Sequence, residues 1–508
     1  MSKQIFTSWR ALRGEAHALE VLAFAILLIS LPLLPLPYGA VLPAGMLRIE
    51  IVAFTLAVLT FLTSPSLRAL RSAAVPILAL LGVAILGLLQ LLPLPASLAS
   101  LLSPESAAVY RGTNTVLRLF GVQPQNLRIS IAPSDTLQMV LLTVSDVALF
   151  TSSLLLLRLR SRRRLFVSVV MLGSLIHIIY GAIHDDPQER MHGAFVNPNH
   201  LAGYLEIALS VAFAILWREV LLSRARGEGI GDIGTRLEKR IPPLAAAAIL
   251  WGAIAIGIGL TRSRGGIGAA TITTAVLLTL GITQLLRGRR RRTVATALLA
   301  TTAAVAFAAA TAGHEFLVRF LSSDPREVGA DTRLQLWKTS LIAWQHFPLF
   351  GSGLGSFREA FRPYQGRELE GLVEQAHSDP LQLLVTGGAV GAFLGILVFG
   401  SLLWKMGALW AENPRREDSA ILLGGLGAAL SLLLHGVAEF NFSIPAIPAT
   451  LAIVLGCAFA AAGDDSIPIP IRQSGGARLA IVEAHSIPQR TSRVHDRAPD
   501  GLGLAKNV

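Results

Sequence analysis

Ala376-His377-Ser378-Asp379-Pro380 runs directly into Leu381 to Val385 and then into Gly387, Gly388 and Gly391. The pentapeptide closes a long polar stretch, and the residues after it, 380–404, are predominantly apolar. A histidine, a hydroxyl and a carboxylate are therefore gathered where the chain re-enters a helix long enough to cross about 30 Å of hydrocarbon. Ionisable side chains at the rim of a membrane span are costly and point to a function there.

The rest of the chain repeats the pattern of long apolar blocks. Of 508 residues 53% are hydrophobic and only 15% charged, which exceeds the apolar content of an ordinary soluble domain. Apolar runs lie near 19–37, 42–62, 73–92, 136–157, 165–183, 198–217, 242–260, 266–286, 293–312, 380–404, 419–435 and 445–462. This predicts an all-α, polytopic membrane protein with about twelve transmembrane helices. The first run follows Lys3, Arg10 and Arg13, as in a signal peptide, but it ends in Pro32, Pro35 and Pro37 without a clear small-residue cleavage site, so it reads as an uncleaved span. The single Cys457 leaves no intrachain disulfide and no cysteine metal site.

The net charge of +12 is topological rather than a nucleic-acid signal. With the N-terminus in the cytoplasm, most Lys and Arg fall in alternate, inner segments, including Arg158–Arg164, Arg218–Arg240 and Arg287–Arg292. The Arg289–Arg292 run is expected to be an anchor beside anionic lipid. Both ends, residues 1–18 and a disordered tail 463–508, are then cytoplasmic, flanking one membrane domain over 19–462 without an internal repeat. The outer face receives loop 93–135, the short loop 184–197, turn 261–265, the large loop 313–379 and turn 436–444. Within the large loop, Leu334, Trp337, Leu341 and Trp344 at helical spacing predict an amphipathic helix, Arg333 to Phe347, lying along the interface or over a cavity.

Every cluster of unusual polar residues lands on that outer face. In Arg190-Met191-His192-Gly193-Ala194-Phe195-Val196-Asn197-Pro198-Asn199-His200, the Asn-Pro pair is a good helix start. Capping leaves Arg190, Asn199 and His200 at the mouth of an apolar helix, and these favour a polar binding role. In Thr261-Arg262-Ser263-Arg264-Gly265-Gly266 the arginines have no topological purpose. Their planar forks match phosphate oxygens, and the glycines open a helix whose positive dipole end favours an anion. Glu374 and Asp379 keep company with His377, whose imidazole titrates near neutrality and can take a proton from a hydroxyl. A fourth cluster, His435-Gly436-Val437-Ala438-Glu439-Phe440-Asn441, offers either a solvated turn or a substrate contact. His184, Asp185, Asp186, His192 and His200 share the face and suit a divalent ion, but their spacings match no metal site, and none is expected.

In this order the motifs resemble the O-antigen ligase and polymerase superfamily of bacterial membrane glycosyltransferases. The resemblance rests on Gly193 to His200, on Ser263-Arg264-Gly265, and on Arg333…Trp337…His346-Phe347-Pro348-Leu349-Phe350-Gly351-Ser352-Gly353-Leu354-Gly355. It ends with His377-Ser378, nine residues, and Gly388-Ala389-Val390-Gly391, so that it covers about 190–391. The resemblance implies a GT-C-like, cofactor-free and metal-independent transferase of the bacterial inner membrane. Such an enzyme moves glycan from undecaprenyl diphosphate to an acceptor hydroxyl at the periplasmic face: that of lipid A core in lipopolysaccharide, of a growing O-antigen or exopolysaccharide chain, or of a protein. It further implies that His377 activates the acceptor and that Arg264 and Arg190, with Arg262 as the alternative to Arg264, contact the diphosphate. Asn199, His200, Arg333, Glu374, Asp379 and Glu439 form a second tier. A flippase or transporter is the rival of another class, but it would spread polar residues through several spans. The implied partners are the lipid-linked donor, the hydroxyl acceptor and membrane lipid, with no nucleic acid.

Overall fold

The structure, a computed structural model, describes residues 2–63, 67–225, 233–285, 330–367, 369, 371–412 and 418–463. The expected span near 293–312, the Arg287–Arg292 block, residues 313–329 of the large loop and the tail after Gly463 lie outside the described residues.

Among the described residues the regular elements are helices. In chain order they are α1 (Ser2–Leu33), α2 (Pro43–Thr63), α3 (Ala74–Leu91), α4 (Ala96–Leu102), α5 (Pro104–Leu119), α6 (Pro133–Leu156), α7 (Arg160–His184) and α8 (Pro198–Ala225). There follow α9 (Ile233–Leu260), α10 (Arg264–Leu285), α11 (Ala330–His346), α12 (Phe357–Phe361), α13 (Asp379–Glu412), α14 (Ser419–Gly436) and α15 (Ala446–Ala462). Eight of the described helices are long and apolar enough to cross a membrane, against the expected twelve or so. The difference has physical reasons besides the undescribed run. The apolar part of α1, His17–Leu33, and α15 are shorter helices, and α8 is walled in, with every residue from Asn199 to Ala214 buried. The outer helices turn large apolar side chains outward, among them Phe61 (72% exposed), Ile396 (73%) and Trp404 (79%). Such a surface belongs against lipid tails rather than water. The chain is an all-α, polytopic membrane protein.

α8 packs on α14 through small residues, as membrane helices do where no hydrophobic force draws them together. A Cβ on Gly424 would lie 2.9 Å from that of Ala214, so the two backbones run close.

α13 is two helices fused across a break at Gly388 (φ 64°, ψ −163°), a conformation essentially reserved for glycine. The groups freed by the break are taken up by the Pro348–Gly353 loop. Ser352 N and Gly353 N donate to Val385 O and Thr386 O at 3.0 Å each, while Ala389 N and Val390 N donate to Pro348 O (2.9 Å) and Leu349 O (3.1 Å). Gln90 of α3 completes the seam, donating to Phe350 O (2.6 Å) and Thr386 O (3.0 Å) and accepting from Leu354 N (2.9 Å). Irregular backbone inside a membrane protein persists only where protein satisfies it in this way.

The amphipathic helix of the large loop exists as α11, and the stripe that packs into the core neighbours the one read from the sequence. Leu336, Ala343 and Phe347 bury against Phe357, Phe361 and Val385, whereas Leu334 and Leu341 are 51% and 41% exposed. Small Ser340 and Ala343 let α11 approach closely on the neighbouring stripe. The tryptophans act through their indole N–H groups, Trp337 donating to His377 O at 3.3 Å and Trp344 to Pro348 O at 3.1 Å. The segment 93–135, expected at the outer face, carries α4 and α5. The buried side of α5 is Ser106, Ala107, Tyr110 and Asn114, held by polar contacts such as Tyr110 Oη to Ser130 O at 2.8 Å, so it shows no apolar period in the sequence.

Candidate active site

Three chain segments meet on Glu439, which sits in the turn between α14 and α15 and is 2% exposed. Its Oε1 accepts from Asn199 Nδ2 and from Arg333 Nη2, each at 2.6 Å. Its Oε2 lies 3.6 Å from His377 Nδ1. Asn199 stands in the first turn of α8, and its Oδ1 accepts from Arg190 Nη2 at 2.5 Å, while Arg190 Nε reaches Thr261 O at 3.0 Å. Arg190, Asn199, Glu439, Arg333 and His377 are thus joined in one network. Burial acts to raise the Glu439 carboxyl, but His377, Arg333 and His435 outweigh it and hold the group below the usual carboxylate range.

His377 is fixed from several directions. Its φ of +47° is uncommon for any residue but glycine. Asp379 N donates to Glu439 O at 2.9 Å, and Asp379 Oδ1 accepts from Phe442 N at 3.2 Å. The Phe440 ring stands edge-on to two imidazoles, His377 at 4.8 Å and His200 at 4.6 Å between centroids. With Nδ1 turned to Glu439, Nε2 is the ring nitrogen not engaged by that carboxylate.

A second, deeper pair lies behind the first. His435 Nδ1 and Glu206 Oε1 are 2.7 Å apart and fully buried, and Ser431 Oγ donates to Glu206 Oε2 at 2.8 Å. Ser263 Oγ is 3.5 Å from His435 Nε2, and a Cβ on Gly265 would come within 2.7 Å of the His435 ring. Arg264, half-buried between them, therefore opens α10 against this pair. Glu206 was not singled out in the sequence, although a carboxylate inside an apolar run is itself a signal. The remaining candidates lie apart from the network: Arg262 is exposed, with Nη1 donating to Gln188 O at 2.9 Å, and Glu374 is exposed and interacts electrostatically with Arg358.

Among the described residues no three of His, Cys, Asp and Glu are placed to hold a metal ion. Asp185 instead accepts from the backbone N–H groups of His192 (2.7 Å) and Gly193 (2.8 Å), and His184 stacks on Tyr180.

Beside His377 opens a cavity of about 790 Å³ between α3, α6, α13 and α15. Its walls are mainly apolar, with Leu80, Leu142, Leu383 and Phe399 among them but also Gln138, Thr143 and Asp146 of α6, and Asp135, Gln375, Asp379 and Gln382 complete its lining. Among the described residues no Lys or Arg lines it.

Fold and site together define a polytopic helical membrane protein with a buried His–carboxylate–arginine network at one end of its bundle and an apolar cavity beside it. Residues 247–396, less than a third of the chain, match a family model described as O-antigen ligase. The matched segment holds Arg262, Arg264, Arg333, Glu374, His377 and Asp379, whereas Arg190, Asn199, His200 and Glu439 lie on either side of it. No curated protein matches the chain.

Proposed function

We propose that the chain is a membrane glycosyltransferase that moves glycan from undecaprenyl diphosphate to an acceptor hydroxyl at the outer face of the inner membrane. The carrying observation is the Glu439 network, which sets an imidazole against a buried carboxylate in the same assembly as Arg190 and Arg333. In the reaction the acceptor oxygen bonds to the anomeric carbon, the bond from that carbon to the diphosphate oxygen breaks, and the acceptor proton passes to His377 Nε2. The departing electron pair stays on the diphosphate, where guanidinium groups stabilise it. Glu439 balances the charge arriving on His377 and orients its ring, so it is a positioning residue. The apolar cavity offers a lipid chain a place beside the reacting groups. Lipid A core, a glycan chain and a protein each bring only a hydroxyl to this chemistry, so the residue roles are common to all three.

The test is donor binding and single-turnover transfer with purified variants. His377→Ala should bind undecaprenyl-diphosphate glycan normally yet lose transfer by about 10²–10⁴-fold. Arg264→Ala should weaken both, and Arg262→Ala should weaken neither, since Arg262 is engaged with Gln188 O. Transfer at the parental rate by His377→Ala removes the base from this scheme.

A further inference from the structure

The cavity beside His377 continues along one face of α6, from Asp135, which is exposed, through Gln138, Leu142 and Asp146 to Phe150. Asp146 follows Asp135 by eleven positions of helix, about 16 Å of rise. It therefore stands well inside α6, one of the helices long and apolar enough to span a membrane. Two other polar side chains on that face have partners within the protein, Gln138 Nε2 donating to Glu50 Oε1 at 2.6 Å and Thr143 Oγ1 to Met139 O at 2.7 Å. Asp146 differs from them: among the described residues no group donates to its carboxylate and no charged group stands beside it. The lining as a whole holds three carboxylates, Asp135, Asp146 and Asp379, and among the described residues no Lys, Arg or His. Asp379 is engaged by Phe442 N, and Asp135 interacts electrostatically with Arg358.

A carboxylate at this depth burdens the fold unless a donor or a cation is set against it. A bare hydrocarbon chain in the cavity would leave it facing methylenes, and an anionic head group would meet three carboxylates with no cation to balance them. We propose that the cavity binds a cationic amphiphile, an alkyl chain bearing a primary ammonium, with the ammonium against Asp146 and the chain along Leu80, Leu383 and Phe399. The volume of about 790 Å³ lies within the range of cavities that hold small molecules, about 300–1,000 Å³. A hydrogen bond between ammonium and carboxylate is roughly twice as strong as one between neutral groups. Asp146 is thus the selective contact, while the apolar wall supplies burial that any alkyl chain could use. This reading does not rest on the transfer chemistry proposed at His377.

The experiment places the full chain in phosphatidylcholine nanodiscs and titrates dodecylamine, reading melting temperature and, by native mass spectrometry, retained amine. Dodecylamine should raise the melting temperature and be retained. Asp146→Asn, which keeps the shape of the side chain and removes its charge, should weaken retention at least about tenfold, the lower end of what a hydrogen bond to a charged group is worth. The control Asp186→Asn removes an exposed carboxylate that does not line the cavity, and it should retain the amine as the parent does. Equal retention by Asp146→Asn and the parent, equal losses in the cavity and control variants, or a parent protein indifferent to dodecylamine overturn the proposal. If Asp146→Asn does not fold, the parent protein decides by its choice among dodecylamine, dodecanol and dodecyl phosphate at one concentration. The alcohol and the phosphate should be retained less than the amine, and retention of either one as strong as that of the amine again overturns the proposal.

Discussion

Glu439→Gln is the most direct probe of the Glu439 network, because it keeps the shape of the side chain and removes its charge. The separation of 3.6 Å between Glu439 Oε2 and His377 Nδ1 sets the scale. Two unit charges about 4 Å apart interact by about 4 kcal/mol at an effective dielectric near 20. In a transition state with roughly half of the proton transferred to the imidazole, the carboxylate contributes about half of that, or about 2 kcal/mol, which corresponds to about 30-fold in rate. Glutamine can still accept Asn199 or Arg333 through its one oxygen, so donor binding should be largely kept. The assay is single-turnover transfer from a purified lipid-linked glycan across a pH series. Glu439→Gln should slow transfer and shift the pH at which the rate rises, while a substitution that merely loosened the turn would lower the rate without moving the profile. Parental rates with an unmoved profile would refute the coupling of His377 to Glu439.

Three further outcomes follow from the same geometry. Gly388→Ala should cost more than about 3 kcal/mol, because its φ of +64° is strained for alanine and the new Cβ would stand 2.4 Å from Leu349 O and Gly351 N. Gly391→Ala, whose Cβ meets only ordinary contacts at 3.5 Å, should be tolerated, and melting temperatures in detergent separate the two. The depressed Glu439 carboxyl contributes stability that is fully present above the ordinary glutamate pKa of about 4.3 and is lost as pH falls through its own lower value. The melting-temperature gap between parent and Glu439→Gln should therefore close on acidification, and a gap that widens contradicts the sign. Chelation with EDTA should leave transfer intact; activity lost on chelation and restored by a divalent ion would move the chemistry towards Asp185 and His192.

Much of the fold was legible because a bilayer demands long apolar runs, and a run of about twenty residues can be read without knowing its neighbours. The faces were harder. Leu334, Trp337, Leu341 and Trp344 form a good helical stripe, but so do Leu336, Ser340, Ala343 and Phe347, and only close approach of the small residues decides between them. In the site, His377 and Arg190 stand out as polar residues beside apolar runs, while Arg333 enters through the family resemblance. Glu439 reads equally as a solvated turn or a substrate contact until folding brings it to Asn199, 240 positions earlier in the chain. Gln90 gave no signal, since a single amide at the end of an apolar helix is unremarkable until the carbonyls of Phe350 and Thr386 are seen beside it.

The motif that runs from His377 through Gly388 to Gly391 divides into two parts with different duties. Its first part, His377 to Asp379, docks on the turn holding Glu439 and Phe442, through Asp379 N to Glu439 O and Phe442 N to Asp379 Oδ1. Its second part breaks α13 at Gly388 so that the Pro348–Gly353 loop can be stitched into the gap. α11 closes the circuit, since Trp337 bonds His377 O and Trp344 bonds Pro348 O from the same helix. The glycine packs against Leu349 and Gly351 rather than His377, yet it fixes the loop and helix that hold the histidine. The ten residues between His377 and Gly388 follow from this construction, because a helix of set length must connect the turn at one end to the break at the other.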